Sequence, residues 1–149
     1  MDRQENPAKI YLRRYRALIL RKESLRRSIS EIYDRAVSIT QAPKDVRVQC
    51  GGMYDRIAED VAMITDAAEQ LRDVERKAQE ALEDILKAIE AVPDEMQKTV
   101  LTLRYVEGLG WFTVAERMNY EIANVYLIHG RALMNVKQWM NERGLLQSL

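Results

Sequence analysis

Counting through residues 11–39 in alternating steps of four and three gives Tyr11, Tyr15, Leu18, Lys22, Leu25, Ile29, Ile32, Ala36 and Ile39. All but Lys22 are apolar or aromatic. Side chains at this spacing line one stripe of a helix, and a stripe kept over four heptads needs a second helix to cover it. The same count resumes as Ile57, Val61, Ile64, Ala68, Leu71, Glu75, Ala78, Leu82, Ile85, Ile89 and Val92, with Glu75 the one polar member. Two long helices are therefore expected, over about residues 8–39 and 54–92. Between them, TQAPKDVRVQCGGM (40–53) holds Pro43 and Gly51-Gly52 and no helical period, so it reads as a loop. Its length, large for a compact helical hairpin, suggests mobility or a contact role. Folding the helices back antiparallel pairs Ile39 with Ile57, Leu25 with Leu71, and Lys22 with Glu75. A half-buried Lys–Glu pair adds little net stability but penalises registers that leave one charge against Leu. The same seams also suit a bundle between chains, such as a homodimer through the hairpin.

The rest of the chain fits an all-α protein. Of its 149 residues 47% are hydrophobic and 31% charged, with six Gly and three Pro. That is too apolar for a disordered chain and too poor in turn residues for an all-β fold. The formal charge of zero averages unlike parts. Residues 1–40 hold ten Lys/Arg against five Asp/Glu, residues 54–92 five against eleven, and residues 93–149 six against six. Opposite charge on neighbouring helices suggests that they pack together, so the arginines of the first helix read as neutralised by the second rather than as a nucleic-acid contact. Cys50 is the only cysteine, which leaves no disulfide framework or ordinary zinc site within one chain. MDRQENPAK lacks the apolar run of a signal peptide, and no stretch approaches the ~18 apolar residues of a membrane span. A soluble protein of the bacterial cytoplasm, without a membrane partner, is expected.

Pro93 ends the second helix and PDEMQ opens another, with acids in the first turn where the helix dipole favours them. Met96, Val100, Leu103 and Val106 supply its apolar face, and Gly108 closes it. The hairpin thus occupies residues 1–92 and a second domain residues 93–149. Within the latter, WFTVAERMNYEIANVYLIHG (111–130) has the spacing of a helix-turn-helix. Such a motif needs apolar residues where its helices meet, a small residue at their crossing, and a turn residue that tolerates the left-handed region. Val114, Met118, Tyr120, Val125 and Ile128 fill the apolar places, Ala115 is the small residue, and Asn119 is the turn residue.

The longer stretch LRYVEGLGWFTVAERMNYEIANVYLIHGRAL resembles the fourth conserved region of bacterial sigma factors, whose helix-turn-helix reads a promoter element. The likeness lies in Leu103-Arg104-Tyr105, Gly108-Leu109, Trp111, Val114 to Met118, Val125 and His129 to Leu133, and covers roughly residues 93–140. The whole layout is similar to a group of small phage and prophage proteins in which a basic YLRRYRAL-like helix and an acidic helix precede a sigma-like helix-turn-helix. That resemblance implies a transcription regulator of phage type, acting on double-stranded DNA with host RNA polymerase as a further partner. Several positions depart from the pattern. Gly110 stands where Ser or Thr is usual, Asn119 where Gly is common, and Glu121 where Ser caps the second helix. Ile122, Ala123 and Leu127 replace polar or basic residues.

The recognition face predicted from spacing comprises Glu121, Ile122, Ala123, Asn124, Tyr126 and Leu127. Asn124 and Tyr126 have hydrogen-bonding groups, Glu121 suits a cytosine amine, and Ile122, Ala123 and Leu127 suit thymine methyls. Arg117, Arg131, Lys98, Arg104 and Lys137 are candidate phosphate contacts, few enough that one copy should bind weakly. The alternative treats the apolar members as a protein interface, which would make the chain a module docking on RNA polymerase or a phage protein. A DNA-packaging recognition subunit is a third reading. His129 suits packing or a phosphate rather than catalysis, and Trp111 and Trp139 suit the core. With no nucleophile–base pair, metal cluster or phosphate-cradling loop, neither an enzyme nor a cofactor is expected.

Overall fold

The computed structural model describes residues 5–40 and 52–148, the side chains of residues 39 and 40 apart. Every regular element among them is helical: α1 (Pro7–Thr40), α2 (Met53–Glu90), α3 (Glu95–Leu101), a π-helical turn (Thr102–Val106), α4 (Trp111–Met118), α5 (Ile122–Glu142) and a 3₁₀ turn (Leu145–Ser148). No helix among the described residues is long and apolar enough to cross a membrane. Cys50, most of the loop at 40–53 and the pairing of Ile39 with Ile57 lie outside the described residues.

α1 and α2 form the expected antiparallel hairpin, and both take part in two compact units. One unit joins the chain up to Ala17 with the chain from Ala78 onward; the other is Leu18–Lys77. Packing therefore does not divide at residues 92/93. Ala8, Tyr11 and Leu12 of α1 and Ile85, Ala88, Ile89 and Val92 share one core with Leu101, Tyr105, Ala132, Leu133, Val136 and Met140. Leu12, Ile85, Leu101 and Met140 are among the largest fully buried side chains, each contributing about 1.5–3 kcal/mol through burial. In this unit Arg14 Nη2 lies 3.4 Å from Asp84 Oδ2.

The Leu18–Lys77 unit is thinner. Leu25 and Asp60 are its buried residues among those described, and its other described seam residues are half-buried except Val61. Lys22 Nζ stands 3.6 Å from Glu75 Oε1, which also meets Arg26 Nη2 at 3.5 Å, so the polar members of the two seams do face each other. Toward the loop the seam departs from the strict count. Val61 is 55% exposed, and the buried position is taken by Asp60, whose Oδ1 accepts from Arg35 Nη2 at 2.8 Å. A buried carboxylate needs such a partner, and an arginine long enough to keep its guanidinium near water provides one.

Candidate nucleic-acid interface

The approach to the candidate site begins at α3. Asp94 caps it, its Oδ1 accepting from the Gln97 N–H at 2.9 Å. The helix widens into the π turn at Thr102–Val106 before Gly108, at φ +74°, reverses the chain and lets the Leu109 N–H reach the Leu103 carbonyl at 3.0 Å. A Cβ at Gly108 would lie 2.4 Å from Arg16 Nε, so the guanidinium of α1 fills the space a side chain would need. Arg104 then ties the turn to α4. Its Nη1 donates to the Leu109 carbonyl at 2.9 Å and its guanidinium covers the Trp111 ring at 4.5 Å.

α4 ends at Met118, and Asn119 adopts φ 55°, ψ 43°, the left-handed region that an Asn enters more readily than most residues. The Tyr120 N–H reaches back to the Ala115 carbonyl at 3.0 Å, and α5 starts at Ile122. Val114 and Ala115 of α4 meet Val125 of α5 and Val100 of α3 in a small second core. Leu103, Leu109, Trp111, Met118, Ile122 and Ile128 pack around it. Met118 to Leu133 is thus two helices and a tight turn, not one rod. Tyr120 differs from its expected core place: its ring is partly exposed, and only its backbone closes the turn. Neither Gly110 nor Glu121 supplies a side-chain cap to the helix it precedes.

The predicted recognition residues divide. Glu121, Ala123, Asn124, Tyr126 and Leu127 are exposed on the first turns of α5, Leu127 at 63%. Ile122 is half-buried and packs against the second core, so less of it than of its neighbours faces outward. Tyr126 is held edge-on to Trp111 with ring centroids 5.4 Å apart. His129 faces inward, which removes a phosphate role. Its Nε2 lies 2.8 Å from the Tyr105 hydroxyl and its ring meets Trp111 edge-on at 4.5 Å. Burial, with Lys9, Arg104 and Arg13 nearby, lowers its pKa to about 4, so the ring is neutral at physiological pH.

The candidate phosphate contacts divide as well. Lys98 Nζ is 3.3 Å from both Glu90 and Glu95, and Arg104 is committed to Leu109 and Trp111, so neither stands free for a ligand. Arg117 Nη1 is 3.1 Å from Glu107 Oε2; both are exposed, and a pair of that kind is weak enough to be exchanged for a phosphate. Arg131 and Lys137 are exposed, with no ion pair among the described residues.

Two further features emerge from the fold. From Ile122 to Asn141 α5 contains no acidic residue. At 100° per residue, its exposed face centres on Ala123, Leu127 and Met134, the last 72% exposed. Asn124 and Arg131 fall on one flank of this stripe, Tyr126 and Lys137 on the other. Met134 was within reach of the sequence, since it continues the period set by Ala123 and Leu127. Phe112, 81% exposed at the start of α4, had no such signal, because α4 is too short to show a period. No protein-family model, curated protein or solved structure matches the chain.

Proposed function

We propose that the chain is a DNA-binding transcription regulator of the phage and prophage type, with α4 and α5 as its helix-turn-helix and the exposed face of α5 as the recognition surface. The observation that carries this reading is that face itself. It is free of acid from Ile122 to Asn141, its apolar stripe is flanked by the uncommitted cations Arg131 and Lys137, and a left-handed Asn119 sets it off from α4. Such a face suits the major groove, because phosphates on both sides attract the flanking cations while base edges meet the central stripe. The sequence resemblance to sigma-factor helix-turn-helix domains supports the same reading, with host RNA polymerase as a second partner, a homodimer through the hairpin as one route to higher affinity, and the bacterial cytoplasm as its place of action.

The test is a titration of fluorescent duplexes from a random-sequence pool and from phage upstream DNA at several salt concentrations. Binding should weaken steeply with salt. Arg131→Ala/Lys137→Ala should lower both the affinity and the salt dependence, the slope of log K on log salt shrinking by about 0.9 per lost phosphate contact. Affinity unchanged by the double substitution would remove these two cations from the interface.

The exposure of Leu127, Met134 and Phe112 favours a second reading, an apolar docking surface for RNA polymerase or a phage protein. Under it, Leu127→Asp abolishes capture of purified polymerase while phosphate-driven DNA binding persists.

A further inference from the structure

We infer that the target duplex is chosen largely through thymine methyl groups, at a site built on A·T pairs two positions apart. The inference rests on the DNA-binding reading above and concerns what that surface selects. Recognition helices present their N-terminal turns to base edges. Here those turns, Ile122 to Gly130, contain no Arg or Lys. Guanine is read mainly by the bidentate fork of Arg or by Lys, and Arg131 and Lys137 lie further along α5, on its flanks, where phosphates are the nearer partners. Glu121, just ahead of these turns, suits one cytosine amine, but guanine itself has no reader on the helix.

What the turns do present is methyl-sized apolar surface. Ala123 and Leu127 are both exposed, one turn apart on the same face. Four residues of helix rise about 6 Å, close to two base steps of about 3.4 Å, so the pair spans bases two positions apart on one strand. The thymine C5-methyl is the only apolar group on the floor of the major groove. Asn124, exposed beside them, carries the amide that pairs with adenine N6 and N7. Ile122, the third apolar candidate, is half-buried against the second core and presents less surface than Leu127. Gly130 extends the clearance on this face: a Cβ built there meets nothing within 4 Å.

The experiment selects bound duplexes from a random pool with the full chain, then replaces each thymine of the selected site by deoxyuridine. That change removes one methyl and alters no hydrogen-bonding group. The selected site should contain thymines two positions apart, and uracil at those positions should weaken binding about fourfold per methyl, the effect of withdrawing one buried carbon. In Leu127→Ala the penalty at one of the positions should vanish while the salt dependence stays unchanged. Selective, salt-sensitive binding that is indifferent to uracil, or a site rich in G·C pairs, would overturn the inference and leave the DNA-binding reading standing. Failure to bind any duplex would sink both.

Discussion

His129 is 6% exposed, enclosed by Tyr105 and Trp111 and near the charges of Lys9, Arg104 and Arg13. Its pKa of about 4 lies below the value near 6.5 of an unfolded histidine, so between these values the unfolded chain binds the extra proton. Stability should therefore be complete above about pH 6.5, fall as the pH drops toward 4, and level off below. The full loss attributable to this ring is on the order of 3 kcal/mol. Urea unfolding at pH 7.5 and 4.5 checks it: His129→Gln, which keeps a hydrogen-bonding group but cannot titrate, should lose clearly less than the wild type over that interval. Parallel losses in both proteins would place the pH sensitivity elsewhere.

Between elements, the turn at Asn119 decides whether α4 and α5 form at all as separate helices. A left-handed residue with a Cβ costs about 1–2 kcal/mol, which Asn partly avoids and Gly avoids altogether. Asn119→Ala should lower stability by roughly 1 kcal/mol, and Asn119→Gly should stay close to the wild type in thermal melts. An Ala variant as stable as the parent would mean that this backbone conformation constrains nothing. The turn was legible because one residue type at one spacing carries the signal. So was the hairpin, whose two seams each have a single polar member and bring Lys22 to Glu75. Where reading failed, the cause lay one residue to the side. Periodicity locates a stripe within about one position, and at its end Asp60 rather than Val61 turns inward because Arg35 is there to receive it. Lys98 and Arg104 looked like free cations because Glu90 and the Trp111 ring come from neighbouring elements, although Glu95, three residues before Lys98 on the same helix, was legible as a partner. The π turn at Thr102–Val106 has no composition that marks it.

At the scale of the molecule, the division expected at Pro93 cuts through a core. Leu101, Tyr105, Leu133, Val136 and Met140 pack with Tyr11, Leu12, Ile85 and Val92, so half of that core belongs to α1 and to the end of α2. A fragment of residues 93–149 should consequently lack a cooperative thermal transition in circular dichroism, while the full chain melts cooperatively. A fragment that melts as sharply as the parent would show that the C-terminal helices are self-sufficient. Charge tells two adjoining segments to associate; it does not tell which part of each supplies the core of a third.

α5 runs without a break for 21 residues, its inner face clamped by Val125, Val136 and Met140 and its outer face bare at Ala123 and Leu127. A beam fixed in this way has already lost its freedom when the chain folds, so little further ordering is owed when something settles on its tip. The accommodation then falls to the other side: a partner must conform to the beam, and a double helix that bends or opens its groove with little resistance should fit it better than a stiff one of equal chemistry.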